Sequence, residues 1–250
     1  MKARYFCISD IHGKFAALKQ VLNESSFDYE KDTLIQLGDV TDGGRRVKEC
    51  VDLLLEIENR IDVAGNHDCI WALNWMHTGE ELPIWTCQGG YQTLESYDFD
   101  RRNVPCAHIE LFENALPYYI DNKNRVFVHG GFNPIVPIQN QKLEFLVWDR
   151  TLIKYAQDHV IKQFKHVFVG HTSTQLLYPG ATLPLTFHNL TMMDCGGGWS
   201  GRLALMNVND LDDFYLSDVQ TPRDYNEPPE TEEYCWGVDL KPPLMKDSNW

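Results

Sequence analysis

Five short apolar, β-branched runs, at residues 5–9, 33–37, 60–64, 125–128 and 167–169, each stop on a small polar cluster that contains glycine. Each run suits a buried strand and is too short for a helix. The clusters are Asp10-Ile11-His12-Gly13, Gly38-Asp39, Gly65-Asn66-His67-Asp68, His129-Gly130-Gly131 and Gly170-His171-Thr172. A chain punctuated in this way is predicted to lay its strands side by side with their carboxyl ends on one edge, where open α/β sheets bind ligands.

Helical patterns fill the gaps, at 14–24, at 47–58 with Val47, Val51, Leu54 and Leu55 on one stripe, and at 152–164. Strands alternating with helices indicate a layered α/β domain. Past Gly170, residues 183–194 and 202–207 read as two strands joined through the glycine-rich stretch 195–201, adding antiparallel strands to a second sheet. Residues 70–122, with Trp71, Trp75, Trp85 and Gly89-Gly90, break the rhythm and read as a helical and loop insertion near the site. Those tryptophans are expected in the core rather than as a ligand platform. The division is a catalytic domain over 1–220 and an acidic, proline-rich C-terminal tail over 221–250, a composition that resists regular structure.

Asp10 and His12 lie two positions apart, so on extended backbone both point to the same side. Taken together, the clusters offer the carboxylates of Asp10 and Asp39, the imidazoles of His12, His129 and His171, and the carboxamide of Asn66. That donor set, without a thiolate, suits Mn²⁺, Fe or Zn²⁺ better than copper or calcium.

Composition narrows the partners. With a formal charge of −14 over 250 residues and no basic stripe, the chain would repel duplex nucleic acid. The first apolar run is interrupted at Ser9-Asp10, too soon for a signal peptide or membrane span, so a soluble, cytoplasmic protein without membrane attachment is expected. The seven cysteines include no C-x-x-C pair and read as reduced thiols.

The clusters, in this order and with Gly38-Asp39-x-x-Asp42, resemble those of the calcineurin-like metallophosphoesterases. Residues 85–97, 116–131, Val147-Trp148-Asp149-Arg150 and 194–203 look most like the bacterial and phage serine/threonine protein phosphatases, and also like symmetrical diadenosine tetraphosphatases. The resemblance spans roughly residues 4–207. It implies an α/β/β/α sandwich with two central mixed β-sheets and flanking helices. It also implies that Asp10 and His12 bind one metal, that Asp39 bridges, and that Asn66, His129 and His171 complete the second site. His67 would be the general acid with Asp68 as its partner, and Arg150 would grip the substrate phosphate. Asp42 is expected to orient a metal-binding histidine.

One departure stands out. Where the family continues Asp-Arg-Gly, this chain has Asp42-Gly43-Gly44 and only then Arg45-Arg46, so either Arg45 or Arg46 is expected to reach back to the phosphate or Arg150 serves alone with weaker phosphate affinity. The resemblance implies a two-metal phosphomonoesterase of the serine/threonine protein phosphatase type, acting on a phosphorylated protein or a small phosphoester through a metal-bridging hydroxide in line with the leaving group. The alternatives are a dinucleoside polyphosphate hydrolase and a non-catalytic phosphate-binding module.

Overall fold

The computed structural model describes residues 3–199 and 201–219. The first half of the chain runs β1 (Tyr5–Ile8), α1 (Phe15–Glu24), β2 (Thr33–Gln36), α2 (Val47–Leu55) and β3 (Asn59–Asp62). A helical stretch follows, opened by a π-helical turn at His67–Ala72 and continued by α3 (Leu73–Thr78), α4 (Pro83–Trp85), α5 (Tyr91–Ser96) and α6 (Cys106–Glu113). The second half contains β4 (Tyr119–Ile120), β5 (Arg125–Val128), α7 (Leu143–Trp148), α8 (Thr151–Asp158), β6 (His166–Val169), β7 (Leu185–Phe187), β8 (Leu190–Met192), β9 (Ala204–Asn207) and β10 (Phe214–Leu216).

Two five-stranded mixed sheets result, in the orders β10-β9-β1-β2-β3 and β4-β5-β6-β8-β7. β1, β2 and β3 are parallel, as are β5, β6 and β8. Period-two alternation decides the layering. In the first sheet Phe6, Ile8 and Leu34 face a core shared with α1 and α2, while Cys7 and Ile35 face the other sheet. In the second sheet Val126, Val128, Val167 and Val169 face α7 and α8, while Phe127 and Phe168 turn inward and stack at 4.8 Å. Strands buried on both faces need apolar residues at every position, which is why the runs read as continuous rather than alternating. This is the expected α/β/β/α sandwich.

Four sequence expectations change. The third strand covers 59–62 rather than 60–64, because Val63 leaves the sheet to bridge Leu116. The helix at 47–58 stops at Leu55. The helix at 152–164 ends at Asp158, because the Asn189 side chain pins Ile161 and Phe164 through their backbone groups. Residues 183–194 form a hairpin, turning at His188 with φ of 51°, and not one strand. Its second arm, β8, lies parallel to β6, whereas β9 joins the first sheet beside β1. The glycine-rich stretch therefore carries the chain from one sheet to the other.

Trp75 and Trp85 are fully buried in the first helical core, as expected. No disulfide joins the six described cysteines, and no helix among the described residues is long and apolar enough to cross a membrane. The tail at 221–250 lies outside the described residues.

Asp32 anchors the start of β1 to the turn before β2. Its buried carboxylate accepts from the Arg4 backbone N–H at 2.9 Å, from Arg4 Nε and Nη2 at 3.1 and 2.6 Å, and from Asp28 N–H at 3.0 Å. Burial alone would raise the acid, but the Arg4 bond outweighs it and holds the carboxyl below its ordinary range. Asp32→Ala is therefore expected to lower unfolding stability in urea by about 1–3 kcal/mol at neutral pH. Because the folded-state acid is the stronger one, that difference is full above about pH 4 and shrinks as pH falls through the depressed folded value. A difference that grows on acidification would contradict this account.

Candidate metal centre

The carboxyl ends of β1, β2, β5 and β6 converge with the segment after β3, and backbone bonds zip their loops together. Asp10 N–H donates to Gly38 O at 3.1 Å, and His12 N–H to Asp39 O at 2.9 Å. Within the second sheet Gly170 N–H donates to His129 O at 2.8 Å, and His171 N–H ties the two sheets together by donating to the Asp10 carboxylate at 3.0 Å. Gly170 has no room for a Cβ, which would collide with Ser9 Oγ and the Asp10 carboxylate. The left-handed backbone falls on the functional residues themselves, with φ of 52° at Asp10, 46° at His12, 58° at Asp39 and 61° at His171. Each such residue costs about 1–2 kcal/mol and persists only because its surroundings over-determine it.

Two imidazoles are oriented by main-chain carbonyls. His12 Nδ1 lies 2.9 Å from Thr41 O and His129 Nδ1 lies 2.6 Å from Leu37 O, so both rings carry the proton on Nδ1 and present Nε2 to the cleft. His129 Nε2 is 3.2 Å from Asp39 Oδ2 and 2.9 Å from Asn66 Oδ1; His12 Nε2 is 3.9 Å from the same Asp39 oxygen and 4.0 Å from Asp10 Oδ1. Asp39 is thus shared by two clusters of donors, His12–Asp39–His67 and Asp39–His129–His171, each with its ligand atoms within 4.8 Å of one another. His171 Nε2 is buried without a hydrogen-bond partner. An orphaned imidazole nitrogen beside converging carboxylates fits a cation site.

The field of the bare cluster supports that reading. Burial, and then Asp194, push the Asp10 acid well above its ordinary value. Asp39 is held low despite burial by His129, His67 and His12. His129 is drawn up to about 9 against its own burial by Asp39, so a proton on Nε2 occupies the place a cation would take. Burial, His129 and Arg150 drive His171 well below its ordinary value, keeping it a neutral donor.

His67 is placed differently from expectation. Its Nδ1 is bonded to Asp42 Oδ2 at 2.6 Å, not to Asp68. Asp68 instead accepts from the backbone N–H groups of Val40 and Thr41 and from the Thr41 hydroxyl, because its carboxylate points under the loop after β2. Asp42 orients His67 rather than one of the three expected histidine ligands. The helical stretch in turn holds Asp42: Trp85 Nε1 donates to it at 2.9 Å and Thr93 Oγ1 at 2.6 Å. Trp71 packs edge-on against His67 at 4.8 Å. Burial lowers His67, but Asp39 and Asp42 outweigh it and bring it to about 9.

The cleft above these residues has a volume of about 500 Å³ and contains Arg150 but neither Arg45 nor Arg46. Arg45 pairs with Glu95 at 2.9 Å, and Arg46 with Glu49 at 2.9 Å while lying over the Phe15 ring. Both are drawn outward by those acids, which overturns the expectation that either reaches the phosphate. Arg150 is left free for the cleft because Asp149 spends its carboxylate on Thr151 and Leu152 at the start of α8. Sequence reading missed Asp194, a buried carboxylate lining the cleft whose acid burial raises to about 6. The signal was present: Asp194 follows the parallel strand β8 as Asp10 follows β1, but it was hidden by reading 183–194 as one antiparallel strand.

The profile of the calcineurin-like phosphoesterases matches residues 3–183. The chain belongs to that family. It is similar to serine/threonine-protein phosphatase 1 of Salmonella typhimurium, 26% identical over 80% of this chain and 90% of that protein. It is also similar to the symmetrical bis(5'-nucleosyl)-tetraphosphatase of Neisseria meningitidis, 26% identical over 52% of this chain and 44% of that protein. Among solved structures, a serine/threonine phosphatase from Saccharomyces cerevisiae superposes with a TM-score of 0.61 at 14% identity, covering 92% of this chain and 82% of that one. A metallophosphoesterase from Sphaerobacter thermophilus gives 0.54 at 20% identity, covering 88% and 90%. These two likenesses speak for the fold. Family and relatives together identify a metal-dependent phosphatase.

Two outcomes follow from the centre. Asp10→Asn keeps the acceptor for Ser9 and His171 but removes a crowded charge, so the metal-free variant should melt at or above the parent temperature while binding Mn²⁺ at least about 10- to 100-fold more weakly. Differential scanning calorimetry and metal titration measure the two halves, and a destabilised metal-free variant counts against the crowding argument. Trp85→Phe keeps the ring but loses the donor to Asp42; kcat should fall roughly three- to tenfold with metal content unchanged.

Proposed function

We propose that this phosphatase hydrolyses phosphomonoesters, with phosphoserine or phosphothreonine in proteins as its substrate class, at a two-cation centre held by Asp10, His12, Asp39, Asn66, His129 and His171. The carrying observation is that Asp39 is common to two donor clusters, with His67 fixed by Asp42 at their edge. The nitrogen and oxygen donor mixture suits Mn²⁺ as the cation, with Fe or Zn²⁺ compatible. When bound, such a pair supplies Lewis-acid activation of water and neutralises charge on the phosphoryl oxygens.

The chain's own residues then have separable tasks. Arg150 enters the cleft unpaired and offers a planar guanidinium to two phosphoryl oxygens. His67 has Nδ1 committed to Asp42, which leaves Nε2 to deliver a proton to the departing serine or threonine oxygen. Asp42, clamped by Trp85 and Thr93, prevents the ring from turning. A substrate on a protein is supported by the relative named as a serine/threonine phosphatase, which is matched over nearly its whole length, whereas the tetraphosphatase is matched over less than half.

The test is turnover of a phosphoserine peptide, p-nitrophenyl phosphate and diadenosine tetraphosphate by the Mn²⁺-loaded protein, before and after chelation. His67→Asn should lower kcat on the peptide by about 10²- to 10⁴-fold while metal content holds. Faster turnover of the dinucleotide than of the peptide would replace the substrate class. Metal binding without turnover of any phosphoester would overturn the enzymatic reading.

A further inference from the structure

The cleft has one lysine or arginine, Arg150, and it lies toward His171 and Asp194, the two groups whose ionisation it perturbs. From the Asp42–Gly43 side no lysine or arginine reaches the cleft. What stands there is the loop between α4 and α5. Gly43 N–H donates to Gly89 O at 3.0 Å, and a Cβ on Gly89 would lie 2.5 Å from Gly43 N and 3.4 Å from Asp42 Cβ. Gly89 has φ of 98°, so the close seating and the backbone shape both demand glycine. On its other flank, a Cβ on Gly90 would meet the Trp85 indole, which is itself bonded to Asp42. The loop is thereby clamped, and Gln88, with non-helical φ and ψ of −105° and 30°, is turned into the cleft lining.

Gln88 is half-buried, and among the described residues its carboxamide has no hydrogen-bond partner. The other neutral polar residues of the lining are less available. Ser173 Oγ accepts from Gln175 N–H, and Gln175 Nε2 is buried against Gly196 and Gly201. We propose that Gln88 is a substrate-binding residue whose amide N–H donates to a non-bridging phosphoryl oxygen from the Asp42–Gly43 side, facing Arg150 across the metal centre. A carboxamide supplies direction without charge. One guanidinium and one neutral donor thus hold the phosphate beside the cation centre and His67, and Gly43 is tolerated because the neighbouring segment supplies the contact. The inference rests on the phosphoester reading above.

Orthophosphate binding to the Mn²⁺-loaded, full-length protein, followed by calorimetry, tests it independently of turnover. Gln88→Ala should raise the phosphate Kd about three- to tenfold, the loss of one neutral hydrogen bond, with melting temperature and Mn²⁺ affinity unchanged. In steady-state assays KM should rise by a similar factor with kcat held within about twofold. Gln88→Glu should weaken phosphate further, and added salt should recover part of that loss. Gly89→Ala should reproduce the Gln88→Ala phosphate effect by unseating the loop. Phosphate binding in both Gln88 variants as tight as in the parent overturns the inference and leaves the phosphatase reading intact. A parent protein that binds Mn²⁺ but neither binds orthophosphate nor turns over a phosphoester removes both.

Discussion

Asp10, Asp39 and Asp194 are buried under one cleft, and that concentration of negative charge is the constraint to which the rest of the centre answers. Carboxylates removed from water and set against one another must be neutralised, paired or given cations. The protein provides backbone N–H donors from His67 and His171, imidazoles of His12 and His129 whose outer nitrogens are committed to carbonyls, and left-handed backbone at Asp10, His12, Asp39 and His171. Together these features fit a centre shaped for divalent cations.

The second dependency runs outward from His67. Its ring is fixed by Asp42, Asp42 by Trp85 and Thr93, and both of those by the core that α3 to α6 share with the first sheet. The helical stretch after β3 thus acts on the site twice, through this chain of bonds and through the loop that seats Gly89 on Gly43. A segment that is irregular in sequence becomes a rigid support because its tryptophans are buried rather than displayed.

Much of this was legible from local pattern. Apolar runs ending on Asp, Asn or His beside glycine located five strand ends, and the donor types named a nitrogen and oxygen metal site. What misled was partner choice. Asp68 is adjacent to His67 in sequence, yet successive residues of a helical turn point about 100° apart, so Asp68 turns under the loop while Asp42, 25 positions earlier, reaches the ring. Arg45 and Arg46 looked free to reach the phosphate until Glu95 and Glu49 were brought beside them.

By itself, then, the sequence determined the layered α/β architecture and the polar strand ends, because period and turn chemistry are local properties, and the order of those clusters carried the resemblance to a phosphoesterase family. Only the tertiary structure decided that β8 and β9 separate into different sheets, that Asp194 joins the cleft, that Asp42 rather than Asp68 holds His67, and that Gln88 rather than Arg45 or Arg46 lines the cleft with Arg150. Those outcomes depend on long-range packing, on which buried groups are left to satisfy one another once both sheets close, and no spacing along the chain encodes that.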